Sequence, residues 1–466
     1  MTDLNMERIK NIHLVGVGGC GMSGLAKILQ EMGYKVSGSD LRESPNTIRL
    51  KDIGVKVHIG HESGLVREAD ILVYSSAITA KNIEIKEARA RGLTILKRAE
   101  MLSWIMDQSQ VKIVVAGTHG KTTTTAMLAK VFSVSRFQPT YLIGCDMDYV
   151  EGNAQLGNGR FAVAEADESD SSFLHLAPTV GIITNIESDH MERFGSMDVL
   201  IDTFKQFAEK VSDDGFLIMD GSDANNCELM KKLEARIVTY GLNDEMEFSA
   251  KDLTFSNFCS NFLLLHKGQE LGRVALSVPG WQNVLNSLPV FAIGLEFGLG
   301  VNFIATALQG FIGARRRFQT VGEYQNVLII DDYAHHPTEI RATLSAAKLG
   351  WPGRRLICIF QPHRYSRTTL LKNEFALAFG DADKVILTDI YAASENPIPG
   401  ISGKSIADLI PDKEVLYVPR KEKIPDDLMA EIKDGDIILT LGAGDIYTVG
   451  KEILARLKIK HEIPAQ

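Results

Sequence analysis

A strand, a glycine loop and the start of a helix follow one another directly in VKIVVAGTHGKTTTT, residues 111–125. The unbroken apolar and mostly β-branched run Val111–Val115 predicts a buried strand. A helix is predicted over Thr123–Lys130. The glycines let backbone N–H groups turn toward one point, and the helix start adds the positive end of its dipole. The segment therefore predicts a phosphate-binding loop in an α/β domain.

Two side chains of this loop have the chemistry of nucleotide binding. Lys121 can reach the terminal phosphates, and the Thr122 hydroxyl can ligate Mg²⁺. The loop is a shortened form, because Val115 stands where the common motif has a glycine, five residues before Gly120. The alternative is an ordinary strand-to-helix turn with an exposed lysine. The residues predicted to contact the nucleotide are Gly117, Thr118, Gly120, Lys121, Thr122 and Thr123.

A second glycine turn, GxGxxG at residues 16–21, follows a predicted strand at Ile12–Val15. A helix over Ser23–Met32 and a strand at Val36–Ser39 come next, and Asp40 follows at the spacing of a ribose contact. Taken alone, the pattern points to NAD. However, any nucleotide diphosphate satisfies a helix N-terminus, and a turn without a ligand is also open.

A small polar loop follows another predicted strand, Ile71–Tyr74. Its residues Ser75 and Ser76 come at the carboxyl end of the strand, where open α/β sheets bind ligands. We therefore count both serines as candidate substrate contacts.

Length, charge and cysteine usage exclude several classes of protein. A chain of 466 residues is too long for one core, and we expect three domains at residues 1–109, 110–318 and 319–466. The net charge of −9 argues against general nucleic-acid binding. No apolar run approaches the ~20 residues of a membrane span. The five scattered cysteines and the absence of an amino-terminal signal pattern favour a reduced, cytoplasmic setting.

Acidic residues cluster after two further predicted strands. Glu165, Asp167, Glu168 and Asp170 would repel one another unless a cation or hydrogen-bond donors offset their charge, although a solvated acidic loop is the alternative. His190 follows the next strand, beside carboxylates. This position makes His190 a candidate metal ligand in a chain with a phosphate loop.

The carboxyl-terminal part alternates predicted strands and helices, with polar clusters at successive strand ends. Such clusters imply a ligand at that edge of a sheet. Just before it, Asn283 and Asn286 lie one helical turn apart, and they suit either a base or ribose contact or an ordinary helix start. The run 315–317 of three arginines is either a solvated turn or, as we prefer, a phosphate clamp.

Taken together, these motifs resemble those of the Mur ligase family, in the order of that family and over nearly the whole chain. The segments that carry the resemblance are GVGGCGMSGLA, AGTHGKTTTTAM, EADESDSSFLHL, TNIESDHME, GARRRFQ, DDYAHHPTEI, FQPHRYSRT and YAASENPIPG. The resemblance implies three α/β domains: a Rossmann-like amino-terminal domain, a central P-loop ATPase-type domain and a Rossmann-like carboxyl-terminal domain. The short P-loop is the form that this family uses.

The resemblance also implies a reaction and its partners. ATP would activate the lactyl carboxylate of UDP-N-acetylmuramate as an acyl phosphate, and the amino group of L-alanine would then attack it. Mg²⁺ is the implied metal, and a monomer or homodimer without nucleic-acid or membrane partners is expected. Gln282 departs from the family, which usually has histidine there, so the adenine contact at this position stays open.

By the same resemblance, residues of this chain take roles one by one. Lys121, Glu165 and His190 would be catalytic, with Thr122, Glu165 and His190 as the metal ligands. The nucleotide contacts beyond the P-loop would be Asn283, Asn286, Arg317 and Asp332. The sugar-nucleotide contacts would be Gly16, Gly18, Gly19, Gly21, Met22, Ser23, Asp40, Ser75 and Ser76. The pocket for the incoming amino acid would be Tyr333, His335, Arg364 and Arg367.

Three other functions stay open at this point. A sister ligase would attach a murein tripeptide to the same sugar nucleotide. A nicotinamide-dependent oxidoreductase would use the first glycine turn with Asp40, but it leaves the P-loop unexplained. A non-catalytic regulator built on an inactive ligase would fit the change at Gln282, although Lys121, Glu165 and His190 are all present.

Overall fold

Three β-sheets flanked by helices make up the α/β fold of the computed structural model, which describes residues 8–147, 152–168 and 171–462. The chain forms two compact units. The first unit takes the described residues up to Ser188, with Arg193–Ser249 and Leu288–Gly300. The second unit takes Asp189–Glu192, Ala250–Ser287 and the residues from Val301 onward.

The first sheet is entirely parallel, in the order β3-β2-β1-β4-β5. Its strands are β1 (Asn11–Val15), β2 (Lys35–Asp40), β3 (Lys56–Ile59), β4 (Ile71–Tyr74) and β5 (Thr94–Lys97). The strand order reverses at β1, between β2 and β4. Ligands of such sheets bind beyond the carboxyl ends of the strands at this reversal, and the GxGxxG turn leaves β1 there.

The central sheet of the first unit has the order β12-β11-β10-β6-β9-β7-β8, and only the β7–β8 pair in this stretch is antiparallel. Its strands are β6 (Val111–Ala116), β7 (Thr140–Met147), β8 (Gly152–Gln155), β9 (Phe161–Glu165), β10 (Val180–Ile183), β11 (Phe216–Asp220) and β12 (Ile237–Gly241). The central position of β6 places the P-loop between the ends of β9 and β10.

The second unit contains a three-strand extension and a six-stranded sheet. The extension consists of β13 (Phe248–Ser256), which begins in the first unit beside β12, β14 (Cys259–His266) and β15 (Gln269–Leu276). The six-stranded sheet has the order β16-β17-β21-β18-β19-β20, with only β16 antiparallel. Its strands are β16 (Gln319–Tyr324), β17 (Val327–Asp332), β18 (Leu356–Phe360), β19 (Lys384–Leu387), β20 (Glu414–Tyr417) and β21 (Ile437–Leu441).

Helices cover both faces of these sheets, so the central strands are apolar on both sides. In the six-stranded sheet, Cys358 and Phe360 of β18 face one hydrophobic cluster, and Ile357 and Ile359 face the other. The helices are α1 (Cys20–Glu31), α2 (Pro45–Asp52), α3 (Ile83–Ala90), α4 (Arg98–Met106), α5 (Lys121–Ser133), α6 (Met191–Phe194), α7 (Met197–Ala208), α8 (Ala224–Met230), α9 (Trp281–Glu296), α10 (Val301–Gln309), α11 (Pro337–Gly350), α12 (Tyr365–Ala376), α13 (Lys404–Ala407), α14 (Ile424–Leu428) and α15 (Tyr447–Glu462).

The predicted strands and helices exist, with ends that differ by a few residues. The helix after each glycine turn begins earlier than predicted, α1 at Cys20 and α5 at Lys121, because the glycines before them already act as helix caps. Each predicted domain contains one sheet, and the exact domain boundaries stay predictions. Within the described part of the chain, no helix is long and apolar enough to span a bilayer.

Candidate active site

The phosphate loop joins β6 to α5 and is fastened by the residues that follow β10. The backbone N–H of Thr118 donates to the carbonyl oxygen of Asn185 at 2.9 Å. Gly117 and Gly120 have φ angles of +129° and +83°, which side chains rarely allow. A Cβ on Gly117 would also lie 2.0 Å from Oγ1 of Thr184. The loop therefore needs glycine at both positions.

Lys121, the first residue of α5, holds its ammonium group inside the loop. Its Nζ donates to Oε2 of Glu168 at 2.8 Å and to the carbonyl oxygens of Gly117 and Thr118 at 2.5 and 3.1 Å. Burial by itself lowers the pKa of Lys121, but the carboxylates of Glu168 and Asp167 outweigh it and raise that pKa. Lys121 is therefore a cation at neutral pH, poised where phosphates would bind.

Thr122 and Glu165 lie side by side at the ends of α5 and β9. The Thr122 hydroxyl donates to Oε1 of Glu165 at 2.9 Å, and the Gly144 N–H donates to Oε2 at 2.8 Å. A hydroxyl and a carboxylate are oxygen donors of the kind that Mg²⁺ prefers. Thr123 is buried within α5, and Asp170 of the predicted acidic cluster lies outside the described residues.

His190 belongs to the short segment 189–192, which groups with the second unit. Its backbone has a φ of +53°, and its ring nitrogens lie 3.7 Å from carboxylate oxygens of Asp189 and Glu192. A carboxylate on each side suits a residue that helps to hold a cation. Its role as a metal ligand stays a prediction.

Three consecutive backbone N–H groups of the first glycine turn donate hydrogen bonds to residues at the end of β2. The N–H groups of Gly16 and Val17 donate to the carbonyl oxygen of Ser39 at 2.8 and 3.0 Å. The N–H of Gly18 donates to Oδ2 of Asp40 at 2.9 Å. Asp40, predicted as a ribose contact, thus also fixes the backbone of the turn.

The predicted serine loop adjoins this turn. Ser75 donates its N–H to the carbonyl oxygen of Val15 at 3.2 Å, and a Cβ on Gly16 would lie 3.2 Å from its side chain. Ser76 is the next residue along the chain. The structure therefore brings the ends of β1, β2 and β4 to one edge of the sheet, as the sequence predicts.

The remaining residues of the glycine motif serve α1 itself. Gly19 is its N-cap, and Gly21 packs against Arg98, whose side chain would lie 3.2 Å from a Cβ there. Met22 is 1% exposed in the hydrophobic core, and the Ser23 hydroxyl donates to a carbonyl oxygen one turn earlier at 2.9 Å. Because both side chains are committed within the fold, any substrate contact by them would have to come from their backbone.

The two predicted asparagines lie on one face at the start of α9. Nδ2 of Asn283 donates to the carbonyl oxygen of Pro279 at 2.7 Å, and Nδ2 of Asn286 donates to Oδ1 of Asn283 at 3.3 Å. Gln282 folds back over Gly280, and its side-chain oxygen is buried without a hydrogen-bond partner among the described residues. Glutamine in place of the family's usual histidine therefore leaves a side-chain acceptor without a partner among the described residues at the start of α9.

The three-arginine run divides into different roles, which corrects the view of it as a single clamp. Arg316 donates to Oδ2 of Asp331 at 3.0 Å and to the carbonyl oxygens of Gly442 and Gly444 at 2.6 and 3.0 Å. These contacts tie β16 to the loop after β21, so Arg316 is a structural residue. Arg317 lies 3.4 Å from Oε1 of Glu339.

Asp332 ends β17 and is 7% exposed. Its carboxylate accepts from the backbone N–H groups of Phe318 and Ala334 at 2.8 and 2.7 Å. Burial raises the pKa of Asp332 to about 6, although Arg317 opposes this shift. Its predicted contact with a nucleotide stays a prediction beside this clear role in the backbone turn.

An aromatic and basic pocket forms at the carboxyl ends of β17 and β18. Nδ1 of His335 lies 2.9 Å from the carbonyl oxygen of Tyr333, and the rings of His335 and His363 lie 5.8 Å apart. Tyr391 stacks on His363 at 5.6 Å. Burial lowers the pKa of His335 to about 4 and that of His363 to about 3. Both rings are therefore neutral at physiological pH.

Each of the two predicted carboxylate-binding arginines already holds a carboxylate. Arg367 donates to both oxygens of Asp189 at 2.8 and 3.1 Å, and Arg364 lies 3.3 Å from Oε1 of Glu192. Arg367 holds the pKa of Asp189 well below its usual range, against the effect of burial. Each arginine of the pair thus binds one carboxylate within the second unit, and the two carboxylates belong to residues three positions apart in the chain.

Sequence reasoning missed two residues of these sites. It grouped Glu168 only with an acidic cluster, whereas Glu168 is the partner of Lys121. It left His363 out of the amino-acid pocket, although the motif FQPHRYSRT contains it between a predicted strand and the arginine pair.

Comparisons with known proteins show one family along the chain. Family models match three consecutive stretches of the chain: "Mur ligase family, catalytic domain" at 11–110, "Mur ligase middle domain" at 115–294 and "Mur ligase, glutamate ligase domain" at 316–444. The UDP-N-acetylmuramate–L-alanine ligase of Geotalea daltonii is 44% identical over 454 residues, which cover 97% of this chain and 99% of that protein.

Solved structures show the same fold. The UDP-N-acetylmuramate–alanine ligase of Thermotoga maritima superposes with a TM-score of 0.83 at 30% identity, over 97% of this chain and all of that one. A murein peptide ligase of Psychrobacter arcticus gives a TM-score of 0.70 at 24% identity, over 98% of this chain and all of that one. The second likeness is one of fold alone.

Proposed function

The chain belongs to the Mur ligase family, and we propose that it joins L-alanine to the lactyl carboxylate of UDP-N-acetylmuramate, with ATP as the energy source. The reaction is a step in the synthesis of peptidoglycan precursors. The observation that carries the proposal is the P-loop. Lys121 is hydrogen-bonded to Glu168 and Thr122 to Glu165, side by side at the start of α5, in a chain that aligns end to end with relatives named for this reaction.

The chemistry requires activation of a poor electrophile. A carboxylate oxygen of the sugar nucleotide attacks the γ-phosphorus of ATP, which releases ADP and leaves an acyl phosphate. The amino group of L-alanine then attacks the acyl carbon, loses a proton and expels phosphate from a tetrahedral intermediate. Each step moves negative charge, so positioned cations matter more than a protein nucleophile.

Lys121 is the proposed cation that binds the phosphoryl group during its transfer. Its ammonium donates hydrogen bonds to Glu168 and to two loop carbonyls. Phosphate oxygens offer it stronger, charge-assisted hydrogen bonds. We expect Lys121 to exchange these partners for the β- and γ-phosphates when ATP binds.

The Thr122 hydroxyl and the Glu165 carboxylate fit Mg²⁺, since they place two oxygen ligands 2.9 Å apart beside the loop. Mg²⁺ bound there would neutralise charge on the transferred phosphate. His190 is the proposed ligand of a second ion. Asn283, Asn286, Arg317 and Asp332 remain the proposed further contacts of the nucleotide.

The first glycine turn is the proposed site of the UDP group. The start of α1, which the turn positions, would direct backbone N–H groups at a diphosphate, without any lysine or arginine in residues 16–23. Asp40, Ser75 and Ser76 adjoin the turn and are proposed contacts of the same ligand.

The pocket of Tyr333, His335, Arg364 and Arg367 is the proposed site of L-alanine. Its two arginines already contact the carboxylates of Asp189 and Glu192, so they suit the carboxylate of an amino acid. The carboxylate of the amino acid would compete with these two side chains. Neutral His335 would add no charge that repels the amine of the substrate.

The test is ATP-dependent phosphate release with UDP-N-acetylmuramate, in parallel with L-alanine, glycine, L-serine and the murein tripeptide. We expect turnover that needs both the sugar nucleotide and L-alanine. Release with the tripeptide alone would instead identify a recycling ligase. Release that ignores the sugar nucleotide, or no release at all, would contradict the proposal.

A further inference from the structure

A buried polar network lies in the first domain, outside all the sites described so far. Its hub is Glu84, near the start of α3, which is fully buried. Oε2 of Glu84 lies 2.7 Å from Nε2 of His13 on β1 and accepts a hydrogen bond from the Ser39 hydroxyl at 2.9 Å. Oε1 lies 2.8 Å from Nδ1 of His61. On the other side of His13, Nδ1 lies 2.8 Å from the Ser37 hydroxyl.

Glu84 sets the direction of the three hydrogen bonds that its carboxylate accepts. Burial by itself raises the pKa of Glu84, but the hydrogen bonds from His13, Ser39 and His61 outweigh it and leave that pKa below its usual value. An ionised carboxylate only accepts. His13 must therefore donate from Nε2 and His61 from Nδ1.

The network touches the glycine turn through a single residue. Ser39 donates its hydroxyl to Glu84, while its carbonyl oxygen accepts from the N–H groups of Gly16 and Val17. The next residue, Asp40, holds the N–H of Gly18. The hydroxyl of Ser39 is thus held by Glu84, while the carbonyl oxygen of Ser39 holds the backbone of the glycine turn.

We propose that Glu84 is a positioning residue for the sugar nucleotide, acting through Ser39 on the backbone of the first glycine turn and so on the N-terminus of α1, which follows the turn. This inference rests on the proposed function in one respect only, that the turn binds the diphosphate of the substrate. Glu84 itself is fully buried.

The physical reason lies in the flexibility of the turn. Four of the six residues in 16–21 are glycine, so the chain there has many backbone conformations available. Binding to a turn that is already ordered avoids the entropy cost of fixing it in the complex. A second layer of hydrogen bonds with buried partners supplies that order.

The first test replaces Glu84 by glutamine, which has the same shape but cannot accept from all three partners. We expect the Kd and KM for UDP-N-acetylmuramate to rise about tenfold. The turnover number at saturation and the KM for ATP should stay within about twofold, because the P-loop is held by other residues.

The matched control for stability is Asp70→Asn. Asp70 also holds β1, but at its amino end, where Oδ2 accepts from the N–H groups of Lys10 and Asn11 at 2.9 Å each. We expect this variant to lose thermal stability while its Kd for the sugar nucleotide stays unchanged. An equal rise in Kd for Asp70→Asn, or no rise for a folded Glu84→Gln, would overturn the proposal.

A second pair of variants decides the question if Glu84→Gln does not fold. Ser39→Ala and Ser37→Ala each remove one hydroxyl from the same strand and the same network, but only Ser39 borders the turn. We expect weaker binding of the sugar nucleotide for Ser39→Ala alone. Equal binding by the two variants would refute the role of the network.

Direct calorimetry with the sugar nucleotide separates this proposal from the proposed reaction. Wild-type protein that binds UDP-N-acetylmuramate but releases no phosphate would contradict the reaction, and the variants would still decide the role of Glu84. Wild-type protein that does not bind the sugar nucleotide would overturn both.

Discussion

The first unit contains two strand–glycine turn–helix segments, and they differ in how charge is arranged around them. The turn at 16–21 has no lysine or arginine, and its amides are held from behind by Ser39 and Asp40. The loop at 117–122 carries Lys121, whose ammonium group donates a hydrogen bond to the buried side chain of Glu168. The same local backbone pattern therefore supports two kinds of site.

The difference follows from what happens to the phosphates. A diphosphate that stays intact needs only a stable set of donors, and ordered amides at a helix start supply them. A phosphoryl group that moves gathers charge on different oxygens during the reaction, and a flexible cation with adjacent metal ligands can follow it. We infer that the first turn holds the substrate and the second loop performs the chemistry.

The largest expected effect tests this division at Lys121. Lys121→Ala should lower the turnover number by about 10³-fold, because the cation at the moving phosphate is lost. Binding of UDP-N-acetylmuramate, measured by calorimetry, should remain near that of the wild type. Parallel loss of turnover and sugar-nucleotide binding would break the comparison between the two segments.

The next effect concerns the proposed metal ligands beside the second loop. Glu165→Gln should lower turnover by about 10²-fold at ordinary Mg²⁺ concentration, with partial recovery as Mg²⁺ is raised. The control is Glu296→Gln, which alters only an ion pair with Arg236 at the surface. A loss of turnover that is independent of Mg²⁺ would argue against Glu165 as a ligand.

A smaller effect is expected from the first turn. A Cβ on Gly18 would lie 2.9 Å from Oδ2 of Asp40, so Gly18→Ala must displace the carboxylate that holds this amide. The KM for the sugar nucleotide should rise about tenfold while the KM for ATP is unchanged. Gly64→Ala is the control, since a Cβ there meets no atom within 4 Å. Equal changes in both KM values would show that the two segments are coupled.

The sequence predicts both segments well, because their information is local. An apolar run, glycines and a helix start are adjacent in the chain, and the strand β4, Ile71–Tyr74, was predicted to the residue. The starts of α1 and α5 were wrong by two or three residues, since the glycine caps were assigned to the turns.

The contacts behind each segment could not be predicted, because they join residues far apart in the chain. Glu84 has the pattern of an ordinary acidic residue in the first turn of a helix, and its partner His13 lies 71 residues away. One signal was available, since His13 interrupts an apolar strand. Arg316 and Arg367 likewise show their roles only through Asp331 and Asp189, which the fold brings to them.

The smallest expected effect concerns the pH dependence of stability. It distinguishes the second loop, where Lys121 contacts Glu168, from the first turn, where residues 16–21 include no charged side chain. Burial raises the pKa of Glu168 to about 7, although Lys121 opposes this shift. The unfolded carboxyl group has a pKa of about 4.3. The folded protein therefore keeps a proton that the unfolded chain releases. This contribution to stability is fully present below about pH 4.3 and is lost as the pH rises through about 7.

Glu168→Gln should remove this dependence. The free energy of unfolding of the variant, relative to the wild type, should improve on the order of 1–3 kcal/mol between about pH 5 and pH 8. Loss of the partner of Lys121 adds a penalty that is nearly constant over this range, because Lys121 stays charged throughout. Urea unfolding without nucleotide measures the difference, and Gly64→Ala, where a Cβ meets no atom within 4 Å, serves as the control whose difference from the wild type should not change with pH. A flat difference for Glu168→Gln would mean that Glu168 is ionised at all of these pH values. The cation of the P-loop would then be fully neutralised before ATP binds, and Lys121 would have to give up an ionised partner to reach the phosphates.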